Sequence, residues 1–325
     1  DWAAMTILVT GGAGFIANTL VDSILSRGDS VICLDNLSRG TTSNLARFTE
    51  KNSFRFSAVD LADLEAFRSC LDSHGDLGAI SEVWHLAANS DIPAGIADPG
   101  VDLRDTFMTT FNVLRIMEER KIGELLFASS SAIYGDLGDQ ELTESTGPLF
   151  PISNYGAMKL ASEAMITAAV EKFLGRALLF RFPNVVGLPA THGVILDFVR
   201  RLRSSPDHLD VLGDGSQRKA YLHVNELVDA MVFIQARAAA KVDVFNIGPT
   251  DAGIHVRDIA RETAAAVAPG ARLKFGADNK GWVGDVPCFT YSTAKLSALG
   301  WTPKLSSLEA VRRAIGEINR QENPP

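Results

Sequence analysis

Cysteine is scarce: Cys33, Cys70 and Cys288 lie far apart in a chain of 325 residues. An odd, scattered set builds neither a disulfide framework nor a zinc ligand set, and it points to a reducing, cytoplasmic compartment. Basic charge is in deficit too, with 31 Lys and Arg against 39 Asp and Glu, a formal charge of −8. Such a chain is a poor match for the phosphate backbone of a nucleic acid, so an anionic ligand must be held by local donors. No apolar run approaches the roughly eighteen residues of a membrane span, so no membrane partner is expected. No charged segment followed by an apolar one opens the chain, so no secretory leader is expected, and Asp1-Trp2-Ala3-Ala4 reads as a remnant before a native start at Met5. Internal repeats and Ser- or Pro-rich linkers are missing as well. What remains, 46% hydrophobic and 22% charged with 27 Gly and 13 Pro, excludes disordered and collagen-like classes.

What is present is rhythm. Short apolar runs at Thr6–Thr10, Ser30–Leu34, Phe54–Ala58, Glu82–Leu86, Leu125–Ser129 and Ala177–Phe182 read as strands. Amphipathic stretches such as Thr19–Arg27, Asp102–Arg120 and Tyr155–Phe173 read as helices between them. This alternation predicts an α/β fold with a doubly wound parallel sheet. After Phe182 the rhythm breaks at Pro183, Gly187 and Pro189; Val194–Ser204 then reads as a helix, Val211–Gly215 as a strand and turn, and His223–Ala236 with Val242–Ile247 as a return to the sheet. Two domains follow: residues 1–182 with about 223–248, and a smaller α/β domain from about 183–222 with 249–325. The second would sit over the C-terminal edge of the sheet, where open α/β sheets bind ligands.

Thr10-Gly11-Gly12-Ala13-Gly14-Phe15-Ile16-Ala17 follows the first strand and opens a helix. Gly11 permits the tight turn, Gly14 lets the backbone approach a pyrophosphate at the helix N-terminus, and Ala17 is an accepted substitute for a third glycine. About twenty residues on, Leu34-Asp35-Asn36 ends the second strand, where an acid takes the ribose hydroxyls of a dinucleotide. Asp35 would repel a 2′-phosphate, which favours NAD over NADP, with Arg39 as a nearby opposing charge. Asp60 is either an acceptor for the adenine amino group or a helix cap.

Tyr155-Gly156-Ala157-Met158-Lys159 sets a phenol and an ammonium one helical turn apart on one face. A tyrosine at its ordinary pKa of about 10 is a poor base at neutral pH, and a neighbouring cation together with oxidised NAD would favour the phenolate. Ser129-Ser130-Ser131 ends the fifth strand, where a hydroxyl can share a substrate proton with Tyr155, or simply satisfy its own turn.

These segments, with Asp60-Leu61, His85-Leu86-Ala87-Ala88, Ser129–Gly135 and Arg181-Phe182-Pro183-Asn184-Val185-Val186-Gly187, occur in the order found in extended short-chain dehydrogenases/reductases. From about Met5 to Gly316 the chain resembles the NAD-dependent nucleotide-sugar epimerase/dehydratase family, UDP-glucose 4-epimerases most of all. The resemblance implies a Rossmann-type sheet, NAD held by Gly11, Gly14, Phe15, Ile16, Asp35, Asn36, Asp60, Leu61, Leu86, Ala87, Ala88 and Pro183, and a homodimer. It implies Tyr155 as base, Lys159 as the ribose contact that lowers the Tyr155 pKa, and Ser130 as assistant, with Ser131 if the register slips. For a UDP-linked sugar it points to Asn184, Val194, the stretch Gly213–Tyr221 with Arg218 and Lys219, and Trp282, Asp285 and Phe289. Lys219 and Trp282 stand where relatives carry arginine, and Thr106 replaces a common asparagine. Phe289, four positions after Asp285, would border the 2-substituent of the sugar. His192 and His223 take structural readings.

The related 4,6-dehydratases need an Asp-Glu pair after the hydroxyl residue, and the related decarboxylases a Glu at the second of those positions; here they are Ser131 and Ala132. With Tyr, Lys and Ser alone, the expected outcome is 4-epimerisation through a transient 4-keto sugar. The alternatives are a nucleotide-sugar reductase or another C4-oxidising enzyme of the family, and a non-catalytic NAD-binding regulator.

Overall fold

The computed structural model describes residues 4–281, 285–286 and 288–323. The chain opens with β1 (Thr6–Thr10), α1 (Phe15–Ser26), β2 (Ser30–Asp35), β3 (Phe54–Ala58), α2 (Leu64–Asp72) and β4 (Ile80–His85). Helices α3 (Ile92–Ala97) and α4 (Pro99–Asp102) run into a π-helical turn over Leu103–Met108, then α5 (Thr109–Arg120) and β5 (Glu124–Ala128). After β6 (Glu141–Leu142) come α6 (Asn154–Lys172), β7 (Arg176–Arg181), β8 (Asn184–Val186), α7 (Val194–Ser204), β9 (His208–Val211), β10 (Arg218–Lys219) and β11 (Tyr221–His223). The rest is α8 (Val224–Arg237), β12 (Val242–Asn246), β13 (Ile254–His255), α9 (Val256–Val267), β14 (Arg272–Phe275), β15 (Thr290–Tyr291), α10 (Ala294–Leu299) and α11 (Ser307–Gln321).

Two compact units result. The first comprises residues 1–133, 153–181 and 235–245. It is built on a seven-stranded sheet of order β12-β7-β5-β4-β1-β2-β3, parallel from β3 across to β7. Strands such as Thr6-Ile7-Leu8-Val9-Thr10 are rich in β-branched residues and buried throughout, as a sheet covered on both faces requires. One face packs Phe67, Met117, Phe127 and Ile166 into a core with Leu8, Ile32 and Leu125. The strand order reverses between β1 and β4, which makes their C-terminal ends the ligand crevice of such a sheet.

The second unit comprises residues 134–152, 182–234 and 246–325. Its helices α7, α9 and α11 pack Val199, Ile259, Val311 and Ile315 together, and its strands pair two by two: β10 with β13, β11 with β8, β14 with β9, β15 with β6. A capping box of Ser306 and Glu309 starts α11.

One expectation needs correction. The single helix over Asp102–Arg120 is three pieces, because Pro99 starts helical structure earlier and the π turn over Leu103–Met108 precedes α5. The strand and turn expected over Val211–Gly215 are there, the strand ending at Val211 and Gly213 and Gly215 both turning the backbone to φ +76°.

Candidate functional site

The glycine loop is locked to the loop after β4. Thr10 Oγ1 accepts from the amides of Leu86 and Ala87 at 3.1 and 3.2 Å, so its own proton goes to His85 Nδ1 at 2.6 Å. The other ring nitrogen, Nε2, then donates to Thr110 Oγ1 at 2.9 Å. Burial, and the charge of Lys159, hold the His85 pKa down at about 3, so the imidazole is a neutral strut. Gly11 lies at φ +67°, and a Cβ there would fall 2.9 Å from the Ala87 amide nitrogen. Gly14 is the N-cap of α1 and has no side chain to cap it, which leaves the first turn, Phe15 and Ile16, open to an outside acceptor.

Asp35 ends β2 and is 8% exposed. Its two oxygens accept from the amides of Ala13 at 3.1 Å and Leu37 at 2.7 Å. Burial pushes its pKa up and these two bonds pull it down. Arg39 pairs with Asp91 instead of with Asp35. Asn36 is exposed and accepts from Ser38 N. Asp60 accepts from Ala62 N at 3.0 Å and pairs with Arg104, and the α2 cap is Asp63. Leu61 is buried, and Leu86, Ala87 and Ala88 are half-buried.

Ser153 caps α6 by accepting from Gly156 N at 3.0 Å, and Tyr155 and Lys159 follow on one face. Ser130 acts on Tyr155 to favour its phenolate, and the Ser130 oxygen accepts from Ala132 N at 3.1 Å. Lys159 is 2% exposed and donates to Ala128 O at 2.6 Å, its ammonium 5.8 Å from the centre of the Tyr155 ring. The expected lowering of the phenol rests on Lys159 together with oxidised NAD; the protein's own neighbours give the opposite direction. Burial pushes the Tyr155 pKa up to about 12, with Asp102 adding to the rise and Ser130 opposing it. Burial also brings Lys159 down to about 7, against the attraction of Glu163 and Asp102. Ser131 starts the 3₁₀ turn over Ser131–Tyr134, which brings no carboxylate at positions 131 and 132.

In the second unit Asn184 is exposed, Pro183 buried and Val194 half-buried. Lys219 is ion-paired with Asp285, which is 2% exposed and also accepts from Gly281 N at 2.9 Å. The neighbouring Arg218 keeps a buried Nε with no hydrogen-bond partner. Phe289 is half-buried and meets Tyr291 edge to face, centroids 5.9 Å apart. Trp282 lies outside the described residues. His223 is buried between Asn225 N and Glu317, as a structural reading requires.

The family model described as "NAD dependent epimerase/dehydratase family" matches residues 7–248. The chain belongs to that family. A crystal structure of a UDP-galactose 4-epimerase is 34% identical, covers 98% of this chain and 99% of its own, and superposes with a TM-score of 0.83. The UDP-glucose 4-epimerase of Halalkalibacterium halodurans is 27% identical, covering 94% of this chain and 93% of its own. The dTDP-glucose 4,6-dehydratase of Streptomyces venezuelae, solved with NAD bound, is 26% identical with a TM-score of 0.83, covering 98% of each chain.

As a family member the chain is an NAD-dependent enzyme on a Rossmann-type fold. The residues present fit NAD. The uncapped first turn of α1 offers amides to a pyrophosphate, and Gly11 allows close backbone approach. Asp35 presents a carboxylate at the end of β2 that the Arg39–Asp91 pair leaves without a guanidinium partner. Motif reading passed over two buried groups. Asp102 is fully buried, accepts from Asn89 Nδ2 at 3.0 Å and keeps Oδ2 unpartnered. Glu163 is bound by Ser129 and Arg181. Glu163 was within reach of sequence, being four residues beyond Lys159 on the same helical face.

Proposed function

We propose that the chain catalyses 4-epimerisation of a UDP-linked sugar of the UDP-glucose/UDP-galactose type, through a transient 4-keto sugar. The observation that carries this reading is the composition of the site after β5: Tyr155 with Ser130 beside it, Lys159 bonded to Ala128 O, and Ser131 and Ala132 where dehydration or decarboxylation needs acids. Tyr155 takes the proton of the sugar 4-hydroxyl and returns it when the ketone is reduced, and Ser130 shares that proton. NAD, when bound, would supply the hydride acceptor and donor for C4, and its oxidised form would add a positive charge that favours the Tyr155 phenolate. Lys159 holds the nicotinamide ribose and supplies a second cation when protonated.

On this reading NAD is held through Gly11, Gly14, Phe15, Ile16, Asp35, Asn36, Leu86, Ala87, Ala88 and Pro183, and the nucleotide sugar is bound through Ser130, Ser131, Asn184, Val194, Arg218, Lys219, Asp285 and Phe289. Asp285 neutralises Lys219, whereas Arg218 Nε has no partner, so Arg218 is the stronger candidate for the pyrophosphate. A homodimer through α5 and α6 and a cytoplasmic location complete the reading; all three cysteines are free thiols.

The test is incubation of purified protein with UDP-galactose and no added cofactor, followed by NMR of the sugar anomeric region. Appearance of UDP-glucose supports the reading. Loss of water from the sugar, or turnover only with added reduced cofactor, would replace it with a dehydratase or a reductase.

A further inference from the structure

Three successive residues at the end of β5 face one stripe of α6. Tyr155 neighbours Ser130, which favours its phenolate, Lys159 Nζ donates to Ala128 O at 2.6 Å, and Glu163 Oε1 accepts from Ser129 Oγ at 2.5 Å. The helical residues are spaced four apart, so they form a single line of contacts along one face. The third rung is itself clamped: Arg181, at the end of β7, donates Nε to Glu163 Oε1 at 3.0 Å and Nη2 to Oε2 at 2.6 Å. Glu163 is 5% exposed, Arg181 6% and Ser129 1%.

This clamp matters because the buried side chains in the front half of α6 are polar, and Asn154 adds a further polar tie, its Nδ2 donating to Gly95 O at 2.8 Å. Before Ile166 the buried residues of the helix are Gly156, Lys159, Ser162 and Glu163, and the buried apolar residues Ile166, Ala169 and Val170 come only in its second half. Tyr155 lies in the first turn, so its register on the strand end is set by polar contacts. A displacement on the order of 1 Å between reacting groups can lower a rate by about 10²-fold.

We propose that Glu163, clamped by Arg181 and bonded to Ser129, is a positioning residue that keeps Tyr155 and Lys159 in register with Ser130. This rests on the reading of those three as the catalytic set. The Glu163–Arg181 pair is a bidentate ion pair whose two charges offset one another, which makes it a stiff strut in a buried setting. Ser129 is the link through which it acts on the strand end.

The experiment uses full-length protein loaded with NAD, UDP-galactose as substrate, and the variants Ser129→Ala, Ser129→Thr, Glu163→Gln and Tyr155→Phe. Ser129→Ala removes the third rung while Arg181 still satisfies Glu163, so the fold is expected to survive. Its kcat should fall about 10-fold, with KM, bound NAD and melting temperature near wild type, and Ser129→Thr should restore most of the rate. Glu163→Gln, which keeps the shape of the side chain and loses its charge, should lower kcat at least as much. Added to Tyr155→Phe, Ser129→Ala should cost little more, because both act at one group. Ser129→Ala and Glu163→Gln with kcat within twofold of wild type, while Tyr155→Phe is strongly impaired, would overturn the positioning role and leave the catalytic reading standing. A fall in melting temperature and bound NAD that matches the fall in rate, without rescue by Ser129→Thr, would also overturn it. A fully active Tyr155→Phe would overturn the catalytic reading itself.

Discussion

Lys159 donates to the carbonyl of Ala128 at 2.6 Å from a position 2% exposed, with its ammonium 4.8 Å from the centre of the Phe127 ring. A lysine buried in this way is carried at a cost to stability.

That cost has a pH signature. Burial brings Lys159 down to about 7 from an ordinary value of 10.5. Between those two values the unfolded chain binds the extra proton, so stability attributable to this group rises with pH across the window, and the penalty is fully present below pH 7. Lys159→Met in the cofactor-free protein should therefore be more stable than wild type by a few kcal/mol near pH 6, on the scale of about 1.4 kcal/mol per pKa unit. The gain should shrink toward zero by about pH 10 as the wild type sheds the penalty. Urea unfolding of both proteins at pH 6, 8 and 9.5 measures it; a difference that does not change with pH would show that Lys159 titrates as an exposed lysine.

Tyr155→Phe removes one hydroxyl and keeps the ring, so packing should change little. Turnover of UDP-galactose should fall by about 10²-fold or more, the scale of losing a general base, with NAD binding nearly intact. Steady-state kinetics beside a thermal melt decides it, and near-normal turnover would remove Tyr155 from the mechanism.

Cofactor choice turns on Asp35 and on the pairing of Arg39 with Asp91. With its guanidinium held by Asp91, Arg39 is poorly placed to neutralise a 2′-phosphate beside the Asp35 carboxylate, so NAD should bind far better than NADP. Asp35→Ala should narrow the gap, and Asp91→Ala, which releases Arg39, should narrow it further. Calorimetric titration of the two cofactors checks both; equal wild-type affinities would show that Arg39 rules the site.

Much of the sheet was legible because buried parallel strands are apolar without interruption. Thr6–Thr10 is a strand over those same residues, as is the half-exposed edge strand Phe54–Ala58 with its alternating Phe-Arg-Phe-Ser pattern, and Val194–Ser204 is a helix over its expected range. The π turn at Leu103–Met108 was not legible, since its i→i+5 bonding has no residue-type signature. At the site, the Tyr155–Lys159 spacing pointed to one helical face, but its electrostatics did not follow. Which charge dominates a phenol depends on burial and on Asp102, some fifty residues away in the chain, and only the folded arrangement shows both. Glu163 was readable by spacing, while its clamp to Arg181 at the end of β7 was not.

Sugar selectivity is the sharpest test of the second unit. Phe289 stands edge to face with Tyr291 at 71°, and Tyr291 in turn meets Tyr134 with centroids 6.3 Å apart. Held in that ladder, a half-buried ring has little freedom to swing aside for a bulky 2-substituent. UDP-glucose and UDP-galactose should therefore be preferred over their N-acetylated counterparts. Phe289→Ser opens the space and should shift the ratio of kcat/KM toward the N-acetyl sugars by roughly 1–3 kcal/mol, the scale of steric discrimination in a pocket. The same change removes an aromatic pair worth about 0.5–1.5 kcal/mol beyond its buried area, so a lower melting temperature is expected alongside. The ratio of kcat/KM for two substrates on one protein is insensitive to that loss, because both are measured on the same folded fraction. A wild type that turns over UDP-N-acetylglucosamine as well as UDP-glucose would show that Phe289 only packs against Tyr291 and does not border the sugar.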